Sequence, residues 1–183
     1  MRHRFRAQHL LGCYTFDMSV ESKGERGPQM PIELQRMTLD DLEAYVALEK
    51  KVQGKTYAAA QDRSEAEEEY RKGPMFFIRR GDQVVGAASY AIEEDGRAYI
   101  NGLAIDPEYQ KQGLGRRALE QILEHLKSAP QVWLRVHPEN NAVKLYQSYD
   151  FQITGREENY DDTGEPRLIL TRNQSVSEEV AQD

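Results

Sequence analysis

Leu103-Ala104-Ile105-Asp106-Pro107-Glu108-Tyr109-Gln110-Lys111-Gln112-Gly113-Leu114-Gly115-Arg116 is the stretch on which the reading of this chain turns. An apolar strand ends at Asp106-Pro107, and a helix opens at the two glycines. A helix start leaves backbone N–H groups unpaired and carries partial positive charge, so phosphate oxygens are natural ligands there. Gly113 can take dihedrals closed to other residues, and Gly115 removes a side chain where a pyrophosphate would approach the first turn. Lys111 and Arg116 add positive charge to a chain whose formal net charge is −7. The P-loop pattern G-x-x-x-x-G-K-[ST] is absent, and Arg117 or Ala118 stands where a dinucleotide fingerprint needs its third glycine. On the loop alone, a glycine turn that merely starts a helix stays open as a reading.

Working outward, the flanks alternate in character. Upstream, Ile32 to Met37 alternates apolar and polar like a half-buried strand, and Thr38 caps a helix whose Leu42, Val46 and Leu48 share a side. A second, acid-rich helix runs from Ser64 to Arg71 and stops at Gly73-Pro74. Its Glu65, Glu67, Glu68 and Glu69 suit either a solvated face or a cationic substrate. Strands over residues 75–80, 83–93 and 97–106, punctuated by Gly81-Asp82 and Asp95-Gly96, predict an antiparallel meander. Downstream, Leu114, Ala118, Leu119, Ile122, Leu123 and Leu126 recur at helical spacing, and Val132 to Val136 reads as a strand parallel to the one before the loop. A short helix over residues 141–148 and a hairpin from Phe151 to Thr171 complete an α/β chain.

The 183 residues suit one domain. We expect it over residues 31–172, with 1–30 a flexible extension and 173–183 a disordered tail. The acidic balance excludes a general phosphate-backbone binder, so no nucleic-acid partner is expected. No apolar run is long enough for a membrane span. A single cysteine, Cys13, excludes an intramolecular disulfide and a cysteine zinc cluster, and fits a reducing cytoplasm without a metal cofactor.

Beyond the loop, Gln110-Lys111-Gln112-Gly113-Leu114-Gly115 resembles the (R/Q)-x-x-G-x-(G/A) acetyl-CoA signature of the GNAT superfamily. Gly102 to Tyr109 looks like its usual lead-in, and Leu145-Tyr146 with Tyr149 and Phe151 resembles its "LY…GF" stretch. This resemblance, over residues 32–171, implies a mixed, mostly antiparallel sheet whose two central parallel strands splay apart, with helices on both faces. It implies an N-acetyltransferase that takes acetyl from acetyl-CoA to an amine. The backbone of Leu103, Ala104 and Ile105 would line the pantetheine arm, and Gln110, Lys111, Gln112, Gly113, Leu114, Gly115 and Arg116 the pyrophosphate. The family asparagine seven residues before the tyrosine corresponds to Glu139, so Asn140 or Asn141 would have to replace it at the cofactor.

Acetyl transfer needs a neutral amine, stabilisation of the oxyanion and a proton for the departing thiolate. The resemblance gives that proton to Tyr146. A phenol of pKa about 10 is a reasonable donor to a thiolate whose conjugate acid lies near about 8.5. Within the superfamily, Arg156-Glu157-Glu158-Asn159-Tyr160 and Thr163-Gly164-Glu165 look like the ending of the ribosomal-protein alanine N-acetyltransferases, which makes a protein N-terminus an alternative substrate to a small amine. Their second tyrosine is Asp161 here. Their strand glutamate corresponds to Arg135, which cannot act as a base. His137 is the candidate base by unperturbed pKa, although a strand-end histidine is ordinarily exposed; Tyr99, Glu93 and Glu94 are others, and solvent alone can suffice. Tyr99, Arg135 and Tyr160 are expected to help select the substrate. The same loop without an acid would serve a non-catalytic acetyl-CoA sensor. The oligomer expected is a monomer or a homodimer.

Overall fold

The computed structural model describes residues 31–160 and 164–174. The expectations for residues 1–30, for Cys13, Asp161 and Thr163, and for the tail beyond Gln174 lie outside them. The chain forms β1 (Glu33–Arg36), α1 (Leu42–Val52), α2 (Arg63–Lys72), β2 (Met75–Arg80), β3 (Gln83–Ile92) and β4 (Ala98–Ile105). It continues with α3 (Leu114–His125), β5 (Gln131–Val136), α4 (Ala142–Gln147), β6 (Gln152–Glu157) and β7 (Arg167–Asn173). The seven strands of the described residues share one sheet in the order β1-β2-β3-β4-β5-β7-β6. Every pairing is antiparallel except β4 with β5. This is the mixed α/β architecture that the sequence predicts.

Helices cover both faces, which explains why β2 reads as the unbroken run Met75-Phe76-Phe77-Ile78, all buried. Phe76 and Ile78 pack on the side of α3 with Leu119 and Ile122, whereas Met75 and Phe77 join Leu42, Val46 and Ala66 of α1 and α2. Thr38 opens a 3-10 turn over Leu39–Asp41 that leads into α1, and the Asp41 carboxylate takes hydrogen bonds from the Thr38 amide and hydroxyl at 2.8 Å each. β7 runs into the stretch expected to be tail. Val132 pairs with Arg172 and Gln131 with Asn173, so β5 satisfies the backbone of residues whose polar side chains suggested fraying.

The feature that positions the site is the short contact between β4 and β5. They pair only at Ala98↔Val132, Tyr99↔Trp133 and Ile100↔Leu134, although β4 stays on β3 to Ile105 and β5 stays on β7 to Val136. The register of β4 against β3 slips between Ser89↔Gly102 and Tyr90↔Ile100, leaving Asn101 without a partner residue. Such a bulge bends its strand, and the two central strands part from that point.

Candidate active site

From Asn101 to Ile105, β4 therefore has one free edge. The Asp106 amide bonds Val85 O at 3.0 Å, so by the alternation of an extended strand the polar groups of Leu103 and Ile105 face the split. Those of Ala104 face β3; a Cβ on Gly86 would lie 2.4 Å from Ala104 O. Of the three residues expected along the arm, Leu103 offers its amide and carbonyl, Ile105 offers its amide while its carbonyl accepts from Gln110, and Ala104 offers only its side chain because β3 holds its amide and carbonyl.

At the mouth of the split, Gly113 stands at the N-cap of α3 with φ 76°, and the first i→i−4 bond runs from Arg117 N to Gly113 O at 3.3 Å. The amides of Leu114, Gly115 and Arg116 precede that bond, so the first turn presents donors to the opening. A Cβ on Gly115 would lie at ordinary contact distance, 3.7 Å from Ile105 Cγ1 and 3.9 Å from Leu145 Cδ2, so the packing of α3 on β4 and α4 leaves room for a methyl there. Gln110 Nε2 donates to Ile105 O at 3.0 Å. Gln112, expected at the pyrophosphate, turns aside, its Oε1 accepting from Arg80 at 2.7 Å. It does not line the cavity, whereas Gln110, Lys111 and Arg116 do.

The split opens into a cavity of about 840 Å³ that runs from this loop to α1 and α2. Tyr146 on α4 borders it and is 6% exposed. Burial, with Tyr99 adding, holds its phenol above the usual range, and no hydrogen bond to its hydroxyl is found among the described residues. It stays protonated, as a proton donor must. Asn140 and Asn141 also border the cavity. Asn140 Oδ1 accepts from the Ala142 amide at 2.9 Å and its Nδ2 donates to Thr56 O at 3.3 Å, so it fastens the start of α4 to the α1–α2 loop.

The candidate bases separate. His137 is 2% exposed, contrary to the expectation for a strand-end histidine. Its Nδ1 accepts from the Glu139 amide at 3.1 Å, which leaves the proton of the neutral ring on Nε2, 3.0 Å from Glu165 Oε2. Both nitrogens are engaged in hydrogen bonds, so the ring braces the β5–α4 loop. Glu93 and Glu94 lie at the far end of β3, away from the cavity, and Glu93 accepts from Trp133 Nε1 at 3.0 Å. The meander puts that end of β3 beside the start of β4, opposite the split.

Arg135, Tyr99 and Tyr160 do come together on the cavity wall. Glu157 takes two hydrogen bonds from Arg135 at 3.0 Å, and the guanidinium lies 5.6 Å from the Tyr99 ring and 5.7 Å from that of Tyr160. Burial opposes the charge on Arg135, but Glu157 and Tyr99 outweigh it, so the side chain stays ionised and paired.

On the opposite wall, where the sequence offered the glutamates of α2 to a cationic substrate, it missed Tyr45, Glu49 and Tyr57. Tyr57 donates to Glu49 Oε1 at 3.0 Å, Tyr45 to Glu69 Oε2 at 2.8 Å, and Ser89 to Glu69 Oε1 at 2.5 Å. Glu49 is 2% exposed, and burial with the nearby Glu69 pushes its carboxyl up to about 8. One signal was legible: Leu42, Tyr45, Val46 and Glu49 follow i, i+3, i+4, i+7, which puts a carboxylate on the apolar stripe of α1. Of the four glutamates of α2, Glu65, Glu68 and Glu69 border the cavity, Glu69 taking the hydrogen bonds of Tyr45 and Ser89 and Glu65 that of the Gln61 amide, while Glu67 pairs with Arg63 and Arg71.

The family model described as Acetyltransferase (GNAT) family matches residues 39–151. The spermine/spermidine N(1)-acetyltransferase of Bacillus subtilis is 32% identical over 93 residues, 45% of this chain and 60% of that protein. The ribosomal protein bS18-alanine N-acetyltransferase of Escherichia coli is 37% identical over 73 residues, 38% of this chain and 49% of that protein. The matched stretch thus spans about half the length of these curated relatives. The crystal structure of the ribosomal-protein-S18-alanine N-acetyltransferase from Escherichia coli superposes with a TM-score of 0.69 at 24% identity, covering 84% of this chain and all of that one, a likeness of fold. No helix among the described residues is long and apolar enough to cross a membrane. With a family model matched across more than half of its length, the chain belongs to the acetyltransferase (GNAT) family.

Proposed function

We propose that this protein transfers the acetyl group of acetyl-CoA to a primary amine, by direct attack with both substrates bound. The observation that carries this reading is the free edge of β4: the polar groups of Leu103 and Ile105 face a cleft that begins at the first-turn amides of α3 and ends near Tyr146. The edge pairs an amide-bearing arm strand-fashion, the helix start takes phosphate oxygens, and Lys111 and Arg116 add positive charge. Tyr146, neutral and unpartnered, is placed to hand its proton to the departing thiolate. No cluster of His, Cys, Asp or Glu among the described residues has the form of a metal site, and the reading needs none.

The small amine is the leading substrate class. A protein N-terminus is the second reading, favoured by the match to a ribosomal protein alanine N-acetyltransferase and by Tyr160 at the cavity wall. The test is thiol release from acetyl-CoA across a panel holding spermidine, simple alkylamines and alanine-starting peptides, alongside thermal stabilisation by acetyl-CoA. Release with an amine supports transfer. Stabilisation with no release on any acceptor supports a non-catalytic sensor instead.

A further inference from the structure

The mechanism above leaves one group of buried titratable side chains unused. Glu49 and Glu69 come from different helices, lie close enough to interact electrostatically, and take hydrogen bonds from Tyr45, Tyr57 and Ser89. Neither carboxylate forms an ion pair among the described residues, although α1 and its loop carry Lys51 and Lys55. Lys51 goes to Asp106 at 2.8 Å and Lys55 to Glu139 at 2.9 Å, both away from the pair. The pair borders the cavity that reaches the loop of α3. It also lies over β4 at the bulge, since a Cβ on Gly102 would sit 3.4 Å from Tyr57 Oη and 3.8 Å from Glu69 Oε1.

A second observation points to a ligand here. The Tyr146 hydroxyl borders the same cavity on a residue 94% buried, with no hydrogen-bond partner among the described residues, and Tyr57 lies close enough to feel its charge. An acid and an unpaired carboxylate couple thus flank one space at the inner end of the split.

We propose that the Glu49–Glu69 pair seats the ammonium group of the substrate amine and takes its first proton. This rests on the acetyl-transfer reading. Glu49 is buried, and burial with the charge of the half-buried Glu69 raises its carboxyl, so ionised Glu49 is a ready proton acceptor beside a second carboxylate. An arriving ammonium matches that charge. Moving one proton from nitrogen to Glu49 then leaves a neutral amine beside a carboxylic acid, which removes one pair of opposite charges from beside a buried side chain. The nitrogen lone pair forms the new bond to the acetyl carbon, and the carbon–sulfur bond breaks. Tyr146 protonates the sulfur and regains a proton from the acylated nitrogen. The proton on the pair leaves to solvent with the product, so one ammonium and one thioester give one amide, one thiol and one proton.

The test is calorimetric titration of spermidine into the full chain in the presence of CoA, for the wild type, Glu49→Gln, Glu69→Gln and Tyr146→Phe. The wild type and Tyr146→Phe should bind alike, and each glutamine variant should bind about tenfold more weakly or worse. With acetyl-CoA, Glu49→Gln should lower kcat by about 100-fold with the KM for acetyl-CoA unchanged. Equal binding by wild type and glutamine variants, or no binding by the wild type, overturns the seat. A wild type that binds spermidine through the pair yet releases no thiol contradicts the acetyl-transfer reading alone. Turnover of spermidine undiminished in both glutamine variants contradicts the seat alone.

Discussion

Asp106 accepts a hydrogen bond from Lys51 Nζ at 2.8 Å and another from the Glu108 amide at 3.1 Å, so one buried carboxylate ties the end of α1 to the turn that leads into the glycine loop. Removing it frees an orphan amide and unpins α1 from β4. Asp106→Ala should lower unfolding stability by about 1–2 kcal/mol, read from denaturant titration. Lys51→Met should also destabilise, because it leaves the buried Asp106 carboxylate without its counter-ion and with the Glu108 amide still donating to it.

The glycine loop yields an asymmetric pair of substitutions. Gly113 holds φ 76° with open space around it, so Gly113→Ala suffers backbone strain of about 1 kcal/mol and no clash. Because the strain falls on the first turn of α3, affinity for acetyl-CoA should drop along with stability. Gly115→Ala places its methyl at ordinary contact distance from Ile105 and Leu145 and should bind acetyl-CoA nearly as the wild type does. Gly115→Leu should not. Titration calorimetry with acetyl-CoA reads all three.

These positions show what kind of information was legible in the chain. The loop, the meander and the apolar stripe of α3 are local patterns, and each lies within a few residues of where its spacing predicts. The split itself entered only through the likeness of motifs, because the bulge at Asn101 has no signature in composition. Contacts between distant segments were not legible. Nothing near His137 announces that Glu139 and Glu165 close on its two nitrogens, and nothing in the acid-rich run of α2 marks Glu69 as the one that takes hydrogen bonds from Tyr45 and Ser89. Arg135 was legible as a departure from a related pattern, but its partner Glu157 came from the hairpin opposite.

Stability should respond to pH with opposite signs at two carboxylates. For Glu49, burial and Glu69 raise the folded value from 4.5 to about 8, so the folded chain binds more protons than the unfolded chain between those values. Its contribution is fully present below the lower value and is lost as pH rises through the higher, at no more than about 1.4 kcal/mol per pH unit. Glu49→Gln should flatten that decline in a series of denaturation curves.

For Asp106, burial pushes the carboxyl up, but the Lys51 ammonium and the Glu108 amide outweigh it and hold it below the ordinary value. Its contribution is therefore present above the usual carboxylate range and is lost as pH falls through the folded value. Asp106→Asn should remove that part of the acid-side loss and leave the decline between about pH 4.5 and about pH 8, which belongs to Glu49, in place.

The central claim is that the free edge of β4 and the start of α3 together hold acetyl-CoA. Residue-resolved amide hydrogen exchange with and without acetyl-CoA tests it most directly. The account predicts that the amides of Leu103 and Ile105 slow markedly on binding, together with those of Leu114 to Arg116, while the Ala104 amide, already on β3, changes little. Binding of acetyl-CoA that leaves Leu103 and Ile105 exchanging as they do in the free protein would contradict it.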